Sequence, residues 1–419
     1  MAYARWSSAA EIKDALTKVE GSVTKSGIPM YNDEGDIYLN DKEYHNLVIG
    51  ITGSGKTQLT MLPQLKYAIE AGESFIVNDV KGEIKKTLKD SLKENNYEII
   101  TINLANPEDG NKYNPLLLPY ELYKKNKDAG IELIDKISHY IFVSEETNVD
   151  PFWENSASSL FAGIALYMFE TKKKEEITLK TLYELSLDLD EIKNYLDNVS
   201  KSSALYINLY SVLFAPTETK ASIVSVFMQK LKLYISRESL LNMMEETNFE
   251  LTNLKEGKKG IFVVSDSKKT SNRLVPIILE ELYEELIREE SKKNFNIIID
   301  EFENLFPIKD FNAKLTEARS NGIRFTIIIK SILELRNKYG KGNAELLRMA
   351  MGNIIYLLAN DDDTLAEISK LCGEEMTEKG LVPLITKEDL KLMKKQEAVI
   401  LMPRMYPIKT RLTAYFEMK

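Results

Sequence analysis

At 419 residues the chain is long enough for two domains, each with its own buried core. Apolar residues make up 44% and charged residues 28%, while 64 acidic against 55 basic side chains leave a net charge of −9. That balance excludes a protein that coats nucleic acid over its whole surface; any such contact must be a local patch or a pore. The only cysteine, Cys372, excludes an intrachain disulfide and a cysteine-built zinc cluster, and is expected to be a small buried residue in a reducing cytosol.

The N-terminus has no apolar core of signal-peptide type. The first strand-like run is 46–49, preceded by His45, which is expected to be structural. Residues 50–57 follow it and read GITGSGKT. A helical pattern covers 58–70, and further strand-like runs fall at 74–78 and 98–103. From about 120 to 256 the strand signal fades. Helical patterns replace it at 131–142, 152–169, 179–186, 191–199 and 217–234, with Pro151 and Pro216 placed to open helices. Phe152, Trp153, Leu160, Phe161, Ile164, Leu166, Phe169, Val226 and Phe227 are expected to form the interior of this region. The stretch 155–169 falls short of the ~20 apolar residues that span a bilayer, which predicts a buried core helix. Strand-like runs resume at 260–265, 294–299, 324–329, 353–358 and 398–402, with an amphipathic helix at 276–288 between the first two. Several runs are nearly continuous Ile, Val and Leu, as in a parallel sheet covered on both faces. The expectation is an α/β fold with a mainly parallel sheet, formed by 1–119 and 257–419, interrupted by an all-α inserted domain at 120–256.

GITGSGKT matches the phosphate loop G-x-x-x-x-G-K-[ST] in full, with a strand before it and a helix after it. Gly50, Gly53 and Gly55 would let the backbone N–H groups of the loop, through Ile51, Thr52 and Ser54, close around phosphate oxygens. Lys56 would reach the terminal phosphates of ATP, and Thr57 would offer its hydroxyl to Mg2+. A second motif, NIIIDEFENL at 296–305, ends an apolar strand on two acids. Asp300 is read as the metal-shell carboxylate and Glu301 as the acid that orients or deprotonates the attacking water. Together the two motifs predict a P-loop ATPase.

Several segments resemble one family, the type IV coupling proteins of conjugation and type IV secretion. They are GITGSGKT, NDVKGEI at 78–84 with Val80 where the family has proline, the turn Tyr113-Asn114-Pro115-Leu116, and Asp150-Pro151-Phe152-Trp153. They continue with EARSNGIRFTIIIKSILELRNKYG at 317–340 and ANDDDTLAEISKLCG at 359–373, and YARWSSAAEIKDAL at 3–16 resembles the stretch that follows the family's membrane anchor. The resemblance spans the chain in the family's order. It implies a RecA-like motor, similar to FtsK, that assembles as a homo-hexamer around a DNA channel. Such a motor delivers relaxase-bound single-stranded DNA, or protein substrates, to a secretion channel. Relaxosome and type IV secretion proteins are its partners, and the inner face of the cell membrane is its place in the cytoplasm. Membrane association would come through an anchor absent from this sequence or through a partner.

The resemblance also implies an arginine supplied by the neighbouring subunit, with Arg319 the first choice and Arg324 the second. The chain departs from the family at Lys330, where a glutamine usually senses the γ-phosphate; a lysine can contact phosphate as a point charge but accepts no hydrogen bond. Lys338, Lys341 and the lysines at 255–259 are weak candidates for a pore lining. The competing reading is a nucleotide-binding substrate receptor that turns over little ATP, for which Lys330 is the only support and against which Glu301 stands.

Overall fold

The computed structural model describes residues 3–144, 150–266, 269–378 and 380–418. Among them the strands, in chain order, are β1 (Thr17–Lys18), β2 (Ile28–Asp33), β3 (Asp36–Asn40), β4 (Asn46–Gly50), β5 (Phe75–Asn78), β6 (Glu98–Asn103) and β7 (Lys259–Val264). They continue as β8 (Phe295–Ile299), β9 (Ile323–Ile329), β10 (Asn353–Leu358), β11 (Glu374–Thr377), β12 (Gly380–Pro383), β13 (Glu397–Leu401) and β14 (Ile408–Arg411). The chain divides into two compact units, one of Met1–Ile100, Thr252–Val263 and Glu285–Lys419, the other of Thr101–Leu251 and Val264–Glu284.

A nine-stranded sheet runs in the order β14-β13-β10-β4-β9-β8-β5-β7-β6 and belongs to the first unit except at the ends of β6 and β7, where the chain crosses into the second. From β10 through β4, β9, β8 and β5 to β7 all neighbours are parallel, and β13 and β14 add an antiparallel margin. The expected α/β architecture with a mainly parallel sheet is therefore present. Every residue of β4, β8 and β9 is buried, which is why these strands are rich in Ile, Leu and Val, broken by polar side chains only at Asn46, Asn296, Arg324 and Thr326. Val48, Val77, Phe262, Ile298, Ile328, Ile355 and Ile400 form one continuous face. Against it pack Leu62, Leu65 and Ile69 of helix Leu62–Glu70 and Leu88 and Leu92 of helix Glu83–Glu94.

Three features were not legible as strands. The N-terminal sheet β1-β3-β2 is short, and β2 carries Pro29 and a polar end; Glu34 and Gly35, both at positive φ, turn it into β3. The hairpin β11-β12 is mostly exposed, and β14 is an edge strand with alternate residues in solvent. The helix expected from 276 instead begins at Lys269 and carries Pro276 inside it.

The second unit is helical. Its long helix, Pro151–Thr171, starts with Asp150 accepting the Phe152 N–H at 3.0 Å and Pro151 at the first helical position. Leu160 through Phe169 are all buried, and no helix among the described residues is long and apolar enough to cross a membrane. Phe142 stacks on Phe227 at 5.2 Å and meets Phe161 at 5.4 Å. Gly163 permits the close approach of helix Ala204–Leu213, since a Cβ there would lie 2.5 Å from Leu209 Cγ. Two expected interior residues are not interior. Phe152 is 48% exposed and Trp153 is half-buried against it, edge to face at 5.0 Å, because both lie in the first helical turn. The inward position of that turn is taken by Glu154, which accepts the Ser144 N–H at 2.7 Å and pairs with Lys230 at 2.7 Å. Val226 is half-buried rather than interior.

At the N-terminal edge of the sheet one buried network is polar. Arg324 donates to Ser26 O at 2.6 Å and pairs with the buried Glu73 carboxylate, which also accepts the Ser26 N–H and the Asn296 side-chain amide, each at 3.0 Å. Burial pulls the Arg324 guanidinium below its ordinary value, and Glu73 opposes that pull. Breaking such a pair from one side strands a charge in the core at a cost of about 3–5 kcal/mol. Glu73→Ala is expected to lose that much stability in urea unfolding. A change below about 1 kcal/mol, the size typical of an exposed pair, would mean that water reaches Arg324.

Candidate nucleotide site

The site is built at the carboxyl ends of adjacent parallel strands. Ile49 of β4 is level with Ile329 of β9, and Ile299 of β8 with Ile327. The residues that leave these strands, Gly50, Lys330 and Asp300, therefore emerge side by side at one edge, where open α/β sheets bind ligands.

Gly50 opens the loop. A Cβ on it would stand 2.4 Å from Ser54 Oγ and 3.0 Å from Lys56 Cγ, so any larger residue must displace the Ser54 side chain from the loop. Gly53 and Gly55 take φ of 83° and 94°, turning consecutive N–H groups toward one side. The loop is tied to the sheet by Ile51 N–H donating to Leu358 O at 3.0 Å. Lys56 Nζ donates to Gly50 O at 2.7 Å, so the ammonium lies within the loop. Burial lowers its proton affinity, while Asp300, Glu303 and Glu301 raise it. Ser54 Oγ is buried without a hydrogen-bond partner. A loop lined with N–H groups, an ammonium and an unpartnered hydroxyl fits a phosphate chain. Thr57 opens the outgoing helix with a single π-type turn, Thr57–Met61, ahead of Leu62–Glu70.

Asp300 follows β8 and is largely buried. Burial raises its pKa, and the Lys56 ammonium is the first influence opposing it. Its Oδ1 accepts the Glu301 N–H at 2.9 Å, which holds Glu301 in the left-handed region at φ 48°. That conformation costs a non-glycine residue on the order of 1 kcal/mol and here turns the chain sharply at the strand edge. Asn304 donates to Glu301 Oε2 at 2.8 Å. Among the described residues no group of three or more His, Cys, Asp or Glu could hold a metal ion. Thr57 and Asp300 are still a suitable set for Mg2+, which keeps waters and takes phosphate oxygens beside one or two protein ligands.

Sequence reasoning missed two acids here. Asp79, at the end of β5, is buried and accepts the Lys85 N–H at 2.9 Å, anchoring helix Glu83–Glu94, which Gly82 enters at φ 71°. Burial raises its pKa against those backbone donors. Glu303 lies in the turn Phe302–Asn304 with its side chain 4% exposed and 3.2 Å from Lys330 Nζ. The coincidence of an extra acid in the second motif with a lysine after β9 could have pointed to this pair.

The two arginines are elsewhere. Arg324 is buried near the start of β9, six residues before Lys330, roughly 20 Å along an extended strand from the loop edge. It is held by Glu73 and Ser26, which removes it as an arginine acting on a neighbour's phosphate. Arg319 is exposed in the last turn of helix Phe311–Ser320, over the Tyr44 ring at 4.9 Å. Tyr44 precedes β4, so Arg319 lies at the opposite sheet edge from its own chain's loop. His45 is structural as expected, with Nε2 against Leu315 O at 2.7 Å and Nδ1 accepting the Phe325 N–H at 3.1 Å. Cys372 is buried.

A family model described as Type IV secretory system Conjugative DNA transfer matches residues 4–382. The chain belongs to this family of conjugative DNA-transfer proteins, the coupling proteins whose motifs it resembles. Protein VirD4 of Rhizobium rhizogenes is 19% identical over 450 residues, covering 99% of this chain; the chain spans 65% of that relative's length. The plasmid coupling protein TrwB in complex with ADP and Mg2+ matches at TM-score 0.72 and 16% identity, over 100% of this chain and 94% of that one. VirB4 of Thermoanaerobacter pseudethanolicus matches at TM-score 0.63 and 14% identity, over 96% and 99%. The fold is that of a RecA-like P-loop domain with helical insertions.

Gly50→Ala tests the loop geometry. With no space for a Cβ, the variant is expected to lose at least about tenfold in affinity for a fluorescent ATP analogue, the scale of one charged hydrogen bond, with its melting temperature nearly unchanged. Full affinity would show that Ser54 and Lys56 can move aside.

Proposed function

We propose that the chain hydrolyses ATP with Mg2+ and uses that energy to drive relaxase-bound single-stranded DNA, or a protein substrate, into a type IV secretion channel. The observation that carries this reading is the placement of a complete phosphate loop beside Asp300 and Glu301 at one sheet edge, in a member of the conjugative DNA-transfer family. In this reading Ile51, Thr52 and Ser54 with the three glycines cradle the phosphates, and Lys56 neutralises their charge. Thr57 and Asp300 hold the Mg2+ shell. The metal, once bound, supplies charge neutralisation at the phosphates, and Glu301 positions the water.

Arg319 fits the role of a residue acting in trans, because it is exposed and its own loop is at the far edge. On this reading the working unit is a homo-oligomer, proposed as a hexamer, at the cytoplasmic face of the cell membrane. Its partners there would be relaxosome and secretion proteins. The similarity to TrwB, a coupling protein seen in complex with ADP and Mg2+, supports the cofactor pair for this chain. The division into a nucleotide-binding domain at 1–119 and 257–419 and an all-α insertion at 120–256 is part of the same proposal, although compactness groups 101–251 with 264–284. The competing reading, a receptor scaffold with little turnover, draws on Lys330, whose ammonium lies 3.8 Å from Glu301.

Lys56→Ala is expected to abolish ATP hydrolysis with the fold retained by circular dichroism; unchanged turnover would sink the proposal. Glu301→Gln should keep Mg-ATP binding and lower kcat by at least about 100-fold, the usual contribution of a general base. Equal loss of binding and turnover would make Glu301 a metal or structural residue. Measuring turnover with and without single-stranded DNA separates the motor from the scaffold, since a scaffold shows no stimulation.

Mixing Arg319→Ala with Lys56→Ala subunits should restore part of the activity, because one interface then carries both intact halves. Absence of rescue in mixtures shown by mass to form mixed oligomers would exclude action in trans.

A further inference from the structure

Glu303, unlike Asp79 with its backbone donors, is an acid at this edge to which neither the two motifs nor the local fold gives a task. Its side chain is almost wholly buried, and burial pushes its pKa up against the charge of Lys330. Lys330 Nζ stands 3.2 Å from Glu303 Oε1 and 3.8 Å from Glu301 Oε1. Burial alone would lower the Lys330 pKa; Glu303 and then Glu301 outweigh it, so the ammonium stays charged.

The backbone fixes where that charge emerges. Lys330 follows Ile329, which is level with Ile49, and β9 lies between β4 and β8 in the sheet. Its Cα therefore leaves the sheet between the start of the phosphate loop and the acid strand. A lysine on a four-carbon stem loses rotamer freedom when it is held in one place, and a carboxylate in a dry site is costly unless paired. A buried glutamate with its lysine is a costly arrangement for a surface pair and a reasonable one for aiming a cation. The Glu303 turn is itself fixed, since Lys338 Nζ donates to Glu303 O at 3.0 Å and Phe302 stacks on Tyr339 at 5.5 Å.

We propose that Glu303 is a positioning residue that tethers Lys330, making Lys330 a second cation of the site that distinguishes a nucleoside triphosphate from a diphosphate. This rests on the reading of the site as an ATPase. Without nucleotide, Lys330 bridges the two glutamates. A terminal phosphate beyond the loop offers it a stronger anion, and Lys330 moves toward that phosphate while Glu303 keeps it at the strand edge. Glu301 is thereby released from Lys330 to its water. A diphosphate, lacking that terminal group, leaves Lys330 on Glu301.

The test compares wild type, Glu303→Gln, Glu303→Asp, Lys330→Met and the double variant Glu303→Gln/Lys330→Met; methionine is used because a glutamine at 330 would itself install the family's usual phosphate contact. The readouts are kcat, KM and the affinities for ADP and a non-hydrolysable ATP analogue. Glu303→Gln and Lys330→Met should each leave ADP affinity within about twofold, yet weaken the ATP analogue and kcat by about tenfold or more, the scale of one charged hydrogen bond. The double variant should be no worse than Lys330→Met, because the tether has nothing left to hold, and Glu303→Asp should recover part of the loss. An equal further loss on adding Glu303→Gln to Lys330→Met would overturn the proposal, as would an unchanged triphosphate-to-diphosphate preference in Glu303→Gln. If Glu303→Gln does not fold, Glu303→Asp with and without Lys330→Met decides the same question. Failure of the underlying reading looks different: wild type and Lys56→Ala would bind no nucleotide at all.

Discussion

Parallel, in-register pairing of β4, β9 and β8 is the constraint on which the rest of the molecule depends. It brings the residues after Ile49, Ile329 and Ile299 to a common edge, and no contact among those side chains would exist without it. The pairing is held from both faces by apolar side chains and at its far edge by the network of Arg324, Glu73, Ser26 and Asn296. Sheet stability and site geometry are thus one problem. Because β8 and β9 are buried throughout, a one-residue slip would turn every side chain to the wrong face and carry the acids away from the loop.

The two ends of the strands divide the labour. At the amino ends lie the buried Arg324 pair and the exposed Arg319 over Tyr44. At the carboxyl ends lie the loop, Asp300, Glu301, Glu303 and Lys330. Charge at the first end is locked into the fold or turned outward, whereas charge at the second is mutually adjusted. Asp300 and Glu303 are pushed up by burial, and Lys56 and Lys330 partly offset it. An incoming polyanion would draw on the same two cations, so its arrival bears on Asp300 and Glu303 together.

The main sheet was legible because several of its strands are rich in Ile, Val and Leu: every strand expected from 46 to 402 is present to within a residue or so at its ends. The short strands β1 to β3, the exposed hairpin β11-β12 and the edge strand β14 lacked that signal, since half-exposed residues carry little apolar pattern. Helix Ala204–Leu213 was missed for the opposite reason. Its sequence is apolar all round, with Ile207 and Tyr210 exposed, so it has no 3.6-residue stripe to read. Phe152 and Trp153 misled because hydrophobicity at a helix start says nothing about which way the first turn faces.

What the sequence by itself determined is local chemistry: a glycine-rich loop with a lysine and threonine after a strand, and two acids ending another. Spacing alone specifies such motifs, because their geometry is made by a few consecutive backbone torsions. Only the tertiary structure decided which distant charges meet. Arg319 and Arg324 are five residues apart, yet one is exposed and the other is sealed beneath Ser26 and Glu73. Glu303 and Lys330 are 27 residues apart and become neighbours because β8 and β9 pair in parallel. Pairing between strands is a non-local property of the chain, and a charge acquires its function from the partner that pairing delivers.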